Sequence, residues 1–146
     1  MNDHLFHKEY LCIVEGVLNK KVGILDFPIA RKPGSIIERC VESSGQPSKT
    51  IYKVIKDFQI SSQNAIQSFS LVKCKLETGR THQIRVHFSH IGHPLVGDTL
   101  YGKPSPMISR QALHSYMVSF IHPITKKEQC FTCPLPNDMK DLLKKE

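Results

Sequence analysis

The sequence predicts an α+β domain: a mixed, mostly antiparallel β-sheet with a few short helices. Three observations carry that expectation. Runs of alternating apolar and polar residues, closed by turn signals, recur along most of the chain. One internal stretch, marked by Ile84, Phe88 and Ile91, changes to the period of a helix. The end of the chain, NDMKDLLKKE, reads as a short amphipathic helix.

Each element follows from local chemistry. In EYLCIVEGV, Glu9 to Val17, Tyr10, Cys12 and Val14 alternate with Leu11, Ile13 and Glu15, and Gly16 closes the run. The next stretch, VGILDFPIARKPGSI, is broken by Pro28 and by the turn pair Pro33-Gly34. SIIERCVES alternates and predicts a strand that ends at Gly45-Gln46-Pro47. KTIYKVIKDF, Lys49 to Phe58, and FSLVKCKLE, Phe69 to Glu77, are further strands. The polar ISSQNAIQS between them predicts a turn.

The helical stretch has Thr81 as its N-cap candidate. Gly92 supplies a left-handed C-terminal residue, and Pro94 blocks continuation, so the predicted helix covers about Thr81 to Ile91. QALHSYMVSFIHP and EQCFTCPLP predict two more strands. In the terminal helix Asn137 is the N-cap candidate, Asp138 lies in the first turn and lysines fill the last.

Composition narrows the class. At 146 residues the chain is one domain's worth, 1–146, and can bury a core without staples. No apolar run approaches the roughly 20 residues of a membrane span. MNDHLFHKEY lacks the apolar stretch of a signal peptide, so a cytoplasmic protein is expected. The five cysteines have no framework spacing, which fits reduced thiols. Cys130 and Cys133 form a lone C-x-x-C on a strand, whose two residues would point to opposite faces. The net charge of +7 favours a polyanionic partner, nucleic acid before a neutral one.

The densest chemistry lies in ETGRTHQIRVHFSHIGHPLVGD, Glu77 to Asp98. Its histidines raise a metal site among His82, His87, His90 and His93, but the acidic residue of a zinc-protease helix is missing. No Asp or Glu occurs from Thr78 to Gly97. Arg80, His82, Gln83 and Arg85 crowd the first turn, where a helix offers free amide donors and partial positive charge. Such a cluster calls for an anion, either a phosphate or a buried carboxylate. The competing reading is a solvated face, which ordinarily mixes acids with bases.

LETGRTHQIRVHFSHIGHPLVGDTLYG, Leu76 to Gly102, resembles the third motif of the RluA-type RNA pseudouridine synthases. KEYLCIVEG resembles that family's K-x-Y-x-A-x-V-x-G strand. The HP and PLPNDM stretches resemble its C-terminal end, so the likeness extends from about Lys8 to Leu143. The resemblance implies isomerisation of uridine to pseudouridine in structured RNA, ribosomal RNA being the commonest substrate, with neither cofactor nor metal. The base would be flipped from its stack. An aspartate would attack, the glycosidic bond would break, and the base would rotate and rejoin through carbon. By the same resemblance Arg85 pairs with that aspartate and Tyr10 stacks on the target base for the proton step. Arg80, His82 and Gln83 are the candidate RNA contacts.

One departure matters. The family's nucleophile belongs to an H-R-L-D-x-x-T-S-G motif, and none of Asp3, Asp26, Asp57, Asp98, Asp138 or Asp141 has that context. The expectation is therefore the C-terminal portion of the catalytic domain, inactive alone, with Arg85 lacking its carboxylate. The competing function is a non-catalytic RNA-binding module. A sheet split this way would expose an edge, predicting self-association or an apolar patch at the tyrosine strand.

Overall fold

The computed structural model describes residues 6–62 and 65–146. Among the described residues eight strands and two helices follow one another: β1 Phe6–Glu15, β2 Val22–Asp26, β3 Ile29–Arg31, β4 Arg39–Val41, β5 Lys49–Ser62, β6 Ala65–Leu76, α1 Gln83–His90, β7 Leu113–Ile121, β8 Glu128–Thr132 and α2 Asn137–Lys144. Six strands make one sheet in the order β2-β5-β6-β1-β7-β8, and β3 pairs with β4 in a small second sheet. Every pairing among the described residues is antiparallel, in line with the expected mostly antiparallel sheet.

The two faces of the large sheet are covered by different helices. Cys12, Val14, Tyr52, Val72 and Cys74 pack with Ile84 and Phe88 of α1. Ile13, Phe58, Ile60 and Phe69 pack with Met139 and Leu142 of α2. Consecutive β1 residues thus serve opposite cores, as the period of two requires.

Several boundaries differ from the sequence expectation. β1 starts at Phe6, and a bulge against β7 falls between Glu9 and Tyr10. SIIERCVES contributes only Arg39–Val41. Upstream, Ser35 Oγ accepts the Glu38 amide at 3.0 Å, a local turn that keeps Ile36 and Ile37 out of the sheet and exposed. β5 and β6 run on to Ser62 and from Ala65, because ladder hydrogen bonds outlast the apolar pattern. Part of the predicted turn thus lies in strands, and its tip, residues 63–64, falls outside the described residues.

The caps also differ. α1 begins at Gln83, and its N-cap is His82, in left-handed backbone (φ 56°), not Thr81. α2 begins at Asn137 itself, and the Pro136 carbonyl accepts the Met139 and Lys140 amides at 3.1 and 3.0 Å. Proline suits the junction because its own lack of an N–H costs nothing before a helix.

The tyrosine strand is not an edge. β1 lies between β6 and β7, and the outer strands are β2 and β8. The apolar patch expected along β1 is absent there: Cys12, Ile13 and Val14 are fully buried.

Candidate active site at the start of the helix

The turn before α1 is built by one buried amide. Gln83 Oε1 accepts from Thr78 Oγ1 at 2.8 Å and from the Arg80 amide at 3.0 Å. Its Nε2 donates to the Lys49 carbonyl at 2.9 Å and to Thr50 Oγ1 at 3.0 Å. Gln83 is thus buried and saturated by the protein, and it pins the strand end to the helix. The sequence named Gln83 as a candidate RNA contact; here its amide is spent within the protein. Thr50 Oγ1 then meets His87 Nδ1 at 2.9 Å, while His87 Nε2 meets the Phe27 carbonyl at 2.9 Å. A carbonyl only accepts, so Nε2 carries the proton and Thr50 donates to Nδ1. Burial pushes the His87 pKa below its ordinary value, against the Phe27 bond.

Arg85 has a carboxylate partner within the chain, contrary to expectation. Its Nε donates to Asp98 Oδ2 and its Nη2 to Asp98 Oδ1, both at 2.8 Å. The Leu100 and Tyr101 amides also donate to Asp98 Oδ1, each at 3.1 Å. Asp98 is wholly buried, which pushes its carboxyl up, yet the bond to Arg85 and those amides outweigh burial and hold it below the usual value. The guanidinium carbon lies 5.1 Å from the centre of the Tyr101 ring, a cation–π contact. Nη1 of Arg85 makes no hydrogen bond among the described residues, and the side chain keeps 14% of its surface exposed.

Tyr101, which sequence reasoning passed over, is the hub. Its hydroxyl accepts the Arg39 amide at 2.9 Å and lies 2.7 Å from His82 Nδ1. This contact fixes the left-handed His82. Burial first, then the charges of Arg85 and Arg39, lower the His82 pKa and favour the neutral ring at pH 7. Arg80 donates from Nε to the Pro47 carbonyl at 3.1 Å. Tyr10 packs half-buried against the core that includes Ile84, on the α1 face, and burial raises its phenol pKa.

The histidines do not converge. His82, His87 and His93 bond respectively to Tyr101, to Thr50 and Phe27, and to the Glu15 carbonyl. No group of three metal-ligating side chains occurs among the described residues. Cys130, within β8, and Cys133, just past its end, are both exposed free thiols.

Comparison with known proteins decides the family. Residues 1–90 match the model described as RNA pseudouridylate synthase. An uncharacterized RNA pseudouridine synthase of Bacillus subtilis (strain 168), YjbO, is 47% identical over 142 residues, covering 97% of this chain and 47% of that protein. The chain belongs to the RNA pseudouridylate synthase family. The RluA-type resemblance agrees with a second family member, ribosomal large subunit pseudouridine synthase D of Nitrosomonas europaea. That protein is 41% identical over 145 residues, or 93% of this chain and 40% of its own length. Among solved structures, human RNA pseudouridylate synthase domain containing 1 superposes with a TM-score of 0.77 at 27% identity, covering 94% of this chain and 58% of that one. The chain spans about half the length of the curated family members it matches.

Proposed function

We propose that these residues supply the arginine, the tyrosine and the RNA-facing wall of a uridine-to-pseudouridine isomerase. In this reading the nucleophilic aspartate comes from an H-R-L-D-type segment outside the 146 residues, ribosomal RNA is the target, and the setting is cytoplasmic. The observation that carries the reading is the state of Arg85. One edge is locked on Asp98 and one face rests on Tyr101, while Nη1 remains for a second anion. A guanidinium fixed this way can meet an incoming carboxylate without losing side-chain freedom, and the pair would keep that carboxylate ionised. Asp98 cannot itself be the nucleophile, because it is fully buried and its oxygens are taken by four donors.

Tyr10, on the same face as α1, would stack on the flipped base and serve the proton step at carbon 5. Arg80 and His82 would contact RNA, and Gln83 would act by positioning Arg80. The consumption of Asp98 by Arg85 favours one second reading, a module that binds RNA without chemistry. Self-association belongs to the outer strands, where Val22 and Ile24 of β2 are 63% and 60% exposed.

The test is tritium release from RNA labelled at uridine carbon 5. The chain alone should release none, and addition of the aspartate-bearing segment should restore release. Arg85→Lys and Tyr10→Phe should each abolish the restored activity. Release by the chain alone, or full activity in Arg85→Lys, would overturn the assignment.

A further inference from the structure

The chain has five arginines, and they divide into two groups. Arg85 and Arg110 each make a bidentate pair, with Asp98 and Asp138. Arg31, Arg39 and Arg80 meet no carboxylate among the described residues, and all three line one open cleft of about 460 Å³. Their convergence is imposed by register. Arg31 and Arg39 are direct partners across β3 and β4, so they share a face. Like charges placed opposite each other destabilise an antiparallel pair. The neighbouring carboxylate does not relieve them: Glu38 is engaged by Lys32 at 2.8 Å.

We propose that this cleft is a phosphodiester site that grips the RNA backbone next to the base pocket; this rests on the RNA-modifying reading above. Arg39 is held by Nη1 on the Ile36, Ile37 and Glu38 carbonyls and Arg80 by Nε on the Pro47 carbonyl, so with Arg31 they set three positive charges around one cavity, which suits the charge of phosphate oxygens. The hydroxyl-bearing Ser44 and Thr81 share the wall. No aromatic residue lines the cleft, so it offers no ring for a base to stack on and takes the backbone instead. Its link to the candidate active site is short. The Arg39 amide donates to Tyr101, the residue that supports both His82 and Arg85. A strand held by this cleft would have its neighbouring nucleotide delivered toward Arg85.

The experiment is a salt titration of the 146-residue chain with a single-stranded RNA oligomer. Each lost phosphate contact lowers the slope of log affinity against log salt by about 0.7. The triple variant Arg31→Gln, Arg39→Gln, Arg80→Gln should lower it by about 2, and each single variant by about a third of that. Lys126→Gln, Lys127→Gln, Lys144→Gln removes equal charge elsewhere and should leave the slope unchanged. A thermal melt checks folding of every variant, and the singles carry the test should the triple not fold. Equal slope losses in the two triples, or no loss in the arginine variants, would overturn the proposal. Two competitors distinguish other anions. Saturation of the Gly45 and Gly79 amide shifts by inorganic phosphate without displacement by RNA would make this a free-phosphate site. Polyglutamate binding with the same arginine dependence and affinity would make it a protein site. Either result overturns the assignment to RNA. Failure of the added aspartate-bearing segment to restore tritium release, with a normal arginine-dependent slope, would overturn the isomerase reading alone.

Discussion

Asp98 has no accessible surface and still carries its charge, because Arg85 and two backbone amides converge on it. Removing one member of a buried pair leaves the other uncompensated, at a cost of about 3–5 kcal/mol. Asp98→Asn should therefore lower the urea-derived stability by roughly that amount; a loss below about 1 kcal/mol would mean Arg85 finds solvent without it. Two pH effects follow, one from the donors that outweigh burial at Asp98 and one from burial itself at His87. Asp98 has a lowered pKa, so its contribution is present above the unfolded value of about 3.9 and disappears as pH falls through the folded value. His87 is held neutral, so below about pH 6.5 the unfolded chain binds the proton first and stability drops with acidification. Stability measured from pH 7.5 to 5 should decline, and His87→Gln should flatten part of that decline. His82, also lowered by burial, supplies some of the remainder. An unchanged slope in His87→Gln would count against the buried neutral ring.

The two ends of α1 differ in how far they could be read. The C-terminus follows local chemistry. Gly92 has φ 87°, the His93 amide reaches the Phe88 carbonyl at 2.8 Å, and the Gly92 amide reaches that of Ser89 at 3.1 Å, a Schellman closure. The N-terminus follows contacts distant in sequence. His82 takes its backbone shape beside Tyr101, and Gln83 is fixed by Lys49 and Thr50, so no local rule could favour them over Thr81. The arginine cleft was illegible for the same reason: the pairing of Arg31 with Arg39 depends on strand register, and Arg80 arrives from another element. Glycine substitutions test the backbone account. A Cβ at Gly92 meets open space, so Gly92→Ala should cost only the left-handed penalty of about 1–2 kcal/mol. A Cβ at Gly97 (φ 78°) would lie 2.3 Å from the Arg110 carbonyl oxygen, so Gly97→Ala must also displace backbone. Thermal melts should rank Gly97→Ala well below Gly92→Ala, and the reverse order would refute the steric argument.

Across the whole molecule the sheet divides the work between its faces. The α1 face carries Tyr10 and Ile84, with Arg39, Arg80, Arg85 and Tyr101 around the helix start; the α2 face carries a second core and none of those groups. The sequence made this division readable, since alternation in β1 sends Cys12 and Val14 one way and Ile13 the other. It did not reveal which strands would flank β1, because pairing of β1 with both β6 and β7 is a long-range choice. The division can be tested through α2. Met139 and Leu142 are fully buried there, and Asp138 ties the helix to Arg110 through Oδ1 and Oδ2, each at 2.9 Å. Met139→Ala opens a cavity in that core and should cost about 2–5 kcal/mol. A scaffold face should transmit none of this to the other side while the protein stays folded. Met139→Ala should consequently keep the wild-type salt slope for RNA binding at a temperature well below its lowered midpoint. A loss of stability accompanied by a loss of slope would mean that the two faces are coupled through the sheet, and that α2 holds the arginine cleft in shape.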